Sequence, residues 1–261
     1  MTQNDLTLLK SKLELVPPSQ LHSLDDYAIP SLTDLQNMEG SHAVSEIIRT
    51  LNDMTTERRL HCVAWLYCWL MSRISIQPWF AVRFRKASVI VRFDEWLSRM
   101  ATLMQHDGFH VTMESDINDG TIFACFLVRD LAGQSHDHLE SFVVMWPGLP
   151  LVMMHAMEPR LMNSLLGALS ESVDRAPMLR LDAPPGNLQA VFHSCLLKLG
   201  IQLTEGTLEV PSVVMATELP GPPNDEEAMQ RCIGEWNAAI AALGDRLQPW
   251  VDRRAGNLRA N

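Results

Sequence analysis

The chain has 261 residues, 47% of them apolar, 20% charged and 7% aromatic, and 21 Lys and Arg against 31 Asp and Glu leave a net charge of −10. An apolar fraction of this size, with seven Trp, can bury enough surface to offset chain entropy, which excludes intrinsic disorder. The acidic balance disfavours a general nucleic-acid binder, because counterion release from phosphates needs a concentrated basic surface.

The first residues, Met1 to Lys12, are too polar for a secretory h-region, and the longest apolar run, Cys62 to Met71, has ten residues where a membrane-crossing helix needs about 20. The expectation is a cytoplasmic protein without a membrane span. Five cysteines at wide spacings, with no C-x-x-C, argue against a disulfide framework and a thiolate zinc site.

In chain order, Leu6, Leu8, Leu9, Leu13 and Leu15 predict a first helix, followed by an extended segment punctuated by Pro17, Pro18, Ser19, Ser23, Pro30 and Ser31. Val44, Ile47, Ile48, Leu51 and Met54 form a helical stripe. A further helix starts near Thr55 or Thr56 and runs to about Ile74, its middle apolar on all sides and therefore buried at the centre of the domain. After Pro78, residues 79–93 alternate as two short strands around Lys86-Ala87-Ser88, and Asp94 caps a helix that Gly108 ends.

The period then becomes two. Strands over 109–114 and 121–128 flank a tight Asn118-Asp119-Gly120 turn, and strands over 140–146 and 151–155 follow. Pro159 opens a helix, Met178 to Leu181 reads as a strand, and Leu188, Val191, Phe192, Cys195, Leu196 and Leu199 mark another helix. An extended stretch over 201–218 leads to Pro220-Gly221-Pro222-Pro223 and a final helix from Asn224.

This order predicts an α+β fold with a helical N-terminal half, a central, mostly antiparallel β-meander and C-terminal helices. The punctuation divides the chain into 1–40, a helix with an extended Pro/Ser segment; 41–220, the α+β core; and 221–261, a C-terminal helix and tail packing on that core. No G-x-G-x-x-G or G-x-x-x-x-G-K occurs, so no nucleotide or other cofactor is expected.

Chemistry-bearing residues are few. His136 and His138, with Asp137 and Glu140 beside them, could supply two metal ligands and a general base for a metal-dependent hydrolase; a third ligand would have to converge from elsewhere, such as His110 or His155. Cys62 beside His61, and Cys195 two residues after His193, are poorly placed for nucleophilic catalysis, since i, i+2 side chains on a helix diverge. Asp116, Asn118, Asp119 and Gly120 lack calcium-loop spacing.

Charge is more informative by position. Residues 57–99 hold eight basic and three acidic side chains, a net +5 that leaves −15 for the rest. Within this belt, Trp79, Arg83, Arg85, Lys86 and Arg92 mix cations with rings, which suits an acidic protein partner and, less well, single-stranded nucleic acid through Arg83, Arg85 and Lys86. In that strand Val82 and Phe84 should face inward and Arg83 outward.

Met145, Met153, Met154, Met157, Met162 and Met178 crowd one third of the chain, and Met153 and Met154 are the candidates for an adaptable apolar surface. Taken together, the sequence points to a non-enzymatic protein-binding module: an adaptor, a chaperone-like factor or a subunit of a larger homo- or hetero-oligomeric assembly.

Overall fold

The structure is a computed structural model describing residues 1–26, 29, 32, 34–76, 78–84, 93–133, 135–146, 149–173, 178–181 and 188–198. Arg85, Lys86 and Arg92, the expected strand after Ser88, the extended stretch 201–218 and the final helix lie outside the described residues.

The N-terminal helix α1 (Gln3–Leu13) opens with a capping box, in which the Thr2 hydroxyl accepts from the Asp5 amide and the Asp5 carboxylate from the Thr2 amide. Leu6, Leu9 and Leu13 form its buried stripe. The Pro/Ser segment after it is more ordered than an extended reading allows. Pro18, whose missing N–H costs nothing in a first turn, starts the short helix α2 (Pro18–Leu21), and a 3-10 turn over His22–Asp26 follows. Leu21, Leu24 and Leu35 are fully buried, so apolar burial compacts a segment whose local punctuation predicts a loop. A side chain at Gly40 would place its Cβ 2.9 Å from the Pro18 ring, so glycine permits this close approach.

Helices α3 (Gly40–Asp53) and α4 (Thr56–Met71) match the expected stripes, with Thr55 as the N-cap residue of α4. The C-terminal part of α4, from Leu66 to Met71, is buried throughout, whereas in its middle His61 is exposed and Cys62 and Trp65 are half-buried. Strand β1 (Phe80–Phe84) buries Ala81, Val82 and Phe84 and exposes Arg83. Helix α5 (Phe93–His106) starts one residue before the expected cap, placing Asp94 and Glu95 in its first turn.

Strands β2 (Phe109–Asn118) and β3 (Thr121–Asp130) pair across a two-residue Asp119-Gly120 turn, where both residues have positive φ, +48° and +70°. Strands β4 (Leu139–Met145) and β5 (Leu151–Ala156), helix α6 (Pro159–Ser172), strand β6 (Met178–Leu181) and helix α7 (Leu188–Lys198) complete the described elements.

Among the described residues the fold is α+β, with helices before and after one antiparallel six-stranded sheet in the order β2-β3-β4-β5-β1-β6. The meander runs from β2 to β5. Strand β1 is added beside β5 and β6 outside β1.

Alternation along each strand sends side chains to two cores. On the first face Phe123, Cys125, Phe142, Val144 and Met153 pack with α1, α3, α4 and α7. On the second, Ala124, Phe126, Val143, Val152 and Met154 pack with α5 and α6. No helix among the described residues is long and apolar enough to cross a membrane.

Candidate functional site

The loop that feeds β4 carries His136 and His138, and the fold gives them different surroundings. His136 is exposed. His138 turns inward, its side chain 3% exposed, and donates from Nδ1 to Asp5 Oδ2 at 2.9 Å, while its backbone N–H donates to Asp5 Oδ1 at 2.8 Å. Burial raises the Asp5 carboxyl, but the bonds from His138 and Thr2 outweigh it and hold Asp5 below its ordinary value. One ring nitrogen of the imidazole expected as a metal ligand thus anchors α1. His110 is exposed and within electrostatic reach of His138, yet among the described residues no group of three or more His, Cys, Asp or Glu side chains could hold a metal ion.

The other histidine considered, His155, serves the first core. Its Nδ1 donates to the Pro78 carbonyl at 2.7 Å, and its ring stacks on Phe142 and tilts against Trp79. Burial lowers its basicity, opposed by that hydrogen bond. Lys12 pairs with Glu140, and its ammonium lies 5.0 Å from the centre of the Tyr67 ring. Burial and then the Glu140 charge hold the Tyr67 phenol well above its ordinary value. With Thr2 and Asn4 both donating to Asp137, these groups form a polar clasp that fastens α1 over the sheet.

The expected methionine surface needs correction. Met153 and Met154 are fully buried, and because neighbours on a strand face opposite ways, Met153 fills the first core and Met154 the second. Met145 and Met162 are buried too, while Met157 is 71% exposed. Trp79 is likewise buried, against His155, so it contributes a core ring rather than a surface one.

Of the candidate contact residues that the structure describes, Arg83 reaches the surface, and the sheet places it beside Leu179 and Arg180. Among the described residues strand β6 is the last strand at its end of the sheet, and it pairs Leu179 with Arg83 and Arg180 with Val82. Paired residues share a face, so Arg83 and Leu179 stand on the first face and Arg180 on the second. All three are exposed, Leu179 by 59%. The Arg180 guanidinium packs over the Phe80 ring, 4.7 Å from its centre, which orders the cation while leaving its donors at the surface.

Met178 and Leu181, the ends of β6, pack partly on the second and first cores and hold the strand in place. The result is a short strand with an exposed leucine beside one guanidinium on the first face and a second guanidinium on the other. Such forks bind carboxylates through paired charge-assisted hydrogen bonds. Arg180 was legible only as one charge in a four-residue strand; its placement next to the belt required the β1–β6 register.

No protein-family profile matches the chain, and no curated protein matches it. Among solved structures, it is similar to the crystal structure of the adenosylmethionine decarboxylase from Aquifex aeolicus VF5, with 9% identity and a TM-score of 0.26 over 40% of this chain and 83% of that one. A likeness this slight carries no argument about fold or activity.

Proposed function

We propose that the protein is a protein-binding module, acting as an adaptor, a chaperone-like factor or a subunit of a larger assembly, and that its contact surface is the β1–β6 end of the sheet. The observation that supports this reading is the exposure of Arg83, Leu179 and Arg180 together on and beside a terminal strand. An exposed leucine beside one guanidinium, with a second guanidinium on the opposite face of the same sheet end, fits an acidic partner, because the cations steer and orient the encounter while the leucine supplies area to bury. Arg85, Lys86 and Arg92 belong to the same basic stretch of the sequence as Arg83.

The test is site-specific photo-crosslinking in the full chain, with the reactive side chain at position 179 and a control at exposed Leu131, remote in sequence. A crosslink from position 179 to an acidic protein segment, weakened by salt and lost in the double variant Arg83→Glu/Arg180→Glu, is the expected result. Crosslinks that ignore the charge reversal would overturn the reading, and salt-sensitive retention of single-stranded RNA or DNA in their place would replace it with nucleic-acid binding.

A further inference from the structure

We infer that the partner docks by strand addition: an extended segment with alternating acidic and apolar residues pairs with β6 as a seventh strand, its acids toward Arg180 and its apolar side chains toward Leu179. This rests on the reading of the β1–β6 end as the contact surface and specifies what that surface accepts.

A terminal strand bonds its neighbour through one edge and presents the N–H and C=O groups of its other edge to whatever can pair with them. Among the described residues β6 pairs with β1 alone. Pairing fixes the side-chain code. Leu179 and Arg180 are consecutive, so they project from opposite faces, and a strand lying about 4.8 Å beyond them must do the same with the two residues it sets beside them. One of those residues meets an exposed leucine and the next meets a guanidinium. A strand alternating Leu-like and Glu-like residues satisfies both; a block of acids followed by a block of apolar residues satisfies neither face throughout.

Charge also selects against a second copy of this chain. In a closely overlapped antiparallel β6–β6 pairing, the two Arg180 side chains stand either directly opposite or one diagonal step apart, roughly 5 to 8 Å, where like charges repel. The arginine that keeps the edge from pairing with itself therefore makes it complementary to an acidic strand.

Four residues, about 13 Å of strand, provide few backbone bonds, so charge pairing at Arg180 must supply much of the selectivity.

The experiment uses the full chain and three synthetic peptides: Glu-Leu-Glu-Leu-Glu, the blocked isomer Glu-Glu-Glu-Leu-Leu, and Lys-Leu-Lys-Leu-Lys. Amide hydrogen exchange is read at Leu179 to Leu181. The alternating acidic peptide should slow exchange in β6 by roughly tenfold at about ten times its Kd, with the other two giving little protection. In the Arg180→Glu variant the preference should invert toward the lysine peptide, an outcome that loss of folding cannot mimic.

Equal protection by the blocked isomer, or protection confined to other elements, would overturn strand addition. If position 179 still crosslinks to an acidic partner in a charge-dependent way, the contact surface stands and only the docking mode falls; if both fail, both fall.

Discussion

On one face of the sheet, Phe142 and Cys125 lie beneath α1 and α4 among Asp5, Lys12, Tyr67, His138 and His155; on the other, Phe126, Val143 and Val152 lie beneath α5 and α6, and buried polar groups there include Ser141, Ser164 and Ser172. The same strands build both faces. Among the described residues, Asp5, His138 and His155 are the buried His, Asp and Glu side chains, and all three belong to the first face. An apolar core is indifferent to pH, whereas a polar clasp holds only while its groups keep the protonation states that its hydrogen bonds require. The second face is therefore held by apolar packing and the first by a conditional attachment.

The largest expected effect tests whether the faces are separable. Phe142→Ala and Phe126→Ala each remove a fully buried ring, one per core, and should each cost about 3 to 5 kcal/mol in urea unfolding. Both variants should retain one transition, because the shared sheet couples the cores. Two resolved transitions in either would break the single-unit picture.

Next in size is the clasp. Asp5→Ala removes the acceptor of three hydrogen bonds, from His138 twice and Thr2 once, and should cost on the order of 3 kcal/mol. Ser164→Ala, which breaks the bond from that hydroxyl to Asp107, should cost about 1 kcal/mol. If calorimetry ranks Ser164→Ala as the costlier change, the assignment of the polar tie to the first face is wrong.

Acidification should loosen the first face in two stages. His155 is held below its ordinary basicity in the folded chain, so the unfolded chain takes up the proton first; its contribution is complete above about pH 6.5 and is lost as pH falls below that. Asp5, also lowered when folded, contributes above about pH 3.9 and loses this as pH drops through its folded value. His110 is lowered too and acts with the sign of His155. In thermal melts from pH 7.5 to 5, His155→Gln should flatten the decline without abolishing it, and a slope identical to the parent's would remove His155 from the account.

The smallest effects belong to the sheet edge. Arg83→Glu should change stability by less than about 0.5 kcal/mol, as surface substitutions do. Arg180→Glu should cost about 0.5 to 1 kcal/mol, since it also loses the stacking on Phe80. Both should disrupt partner binding far more than folding, and a larger loss of stability from Arg83→Glu than from Arg180→Glu would contradict the stacking geometry.

Much of the fold was legible because its signals are short-range. The helical stripes of α3 and α4, the Asp119-Gly120 turn, the Met178–Leu181 strand and the inward Val82 and Phe84 all follow from neighbours a few positions apart. Residues 18–26 were harder, because prolines and serines read as a loop while distant apolar surface folds them into a helix and a turn. The candidate site was half legible: Arg83 was visible in the basic belt, but Arg180 joined it only through strand pairing.

Outside residues 18–26, the amino-acid order alone located the described helices and strands and the apolar side of most of them, since periodicity and turn chemistry act within one or two turns of chain. Tertiary structure decided the strand order, the division of Met153 and Met154 between opposite cores, the union of Asp5 with His138 across 133 positions, and the setting of Arg83, Leu179 and Arg180 at one edge. Those outcomes depend on which surfaces meet. Periodicity specifies that a side chain will be buried, and only packing and pairing specify against what.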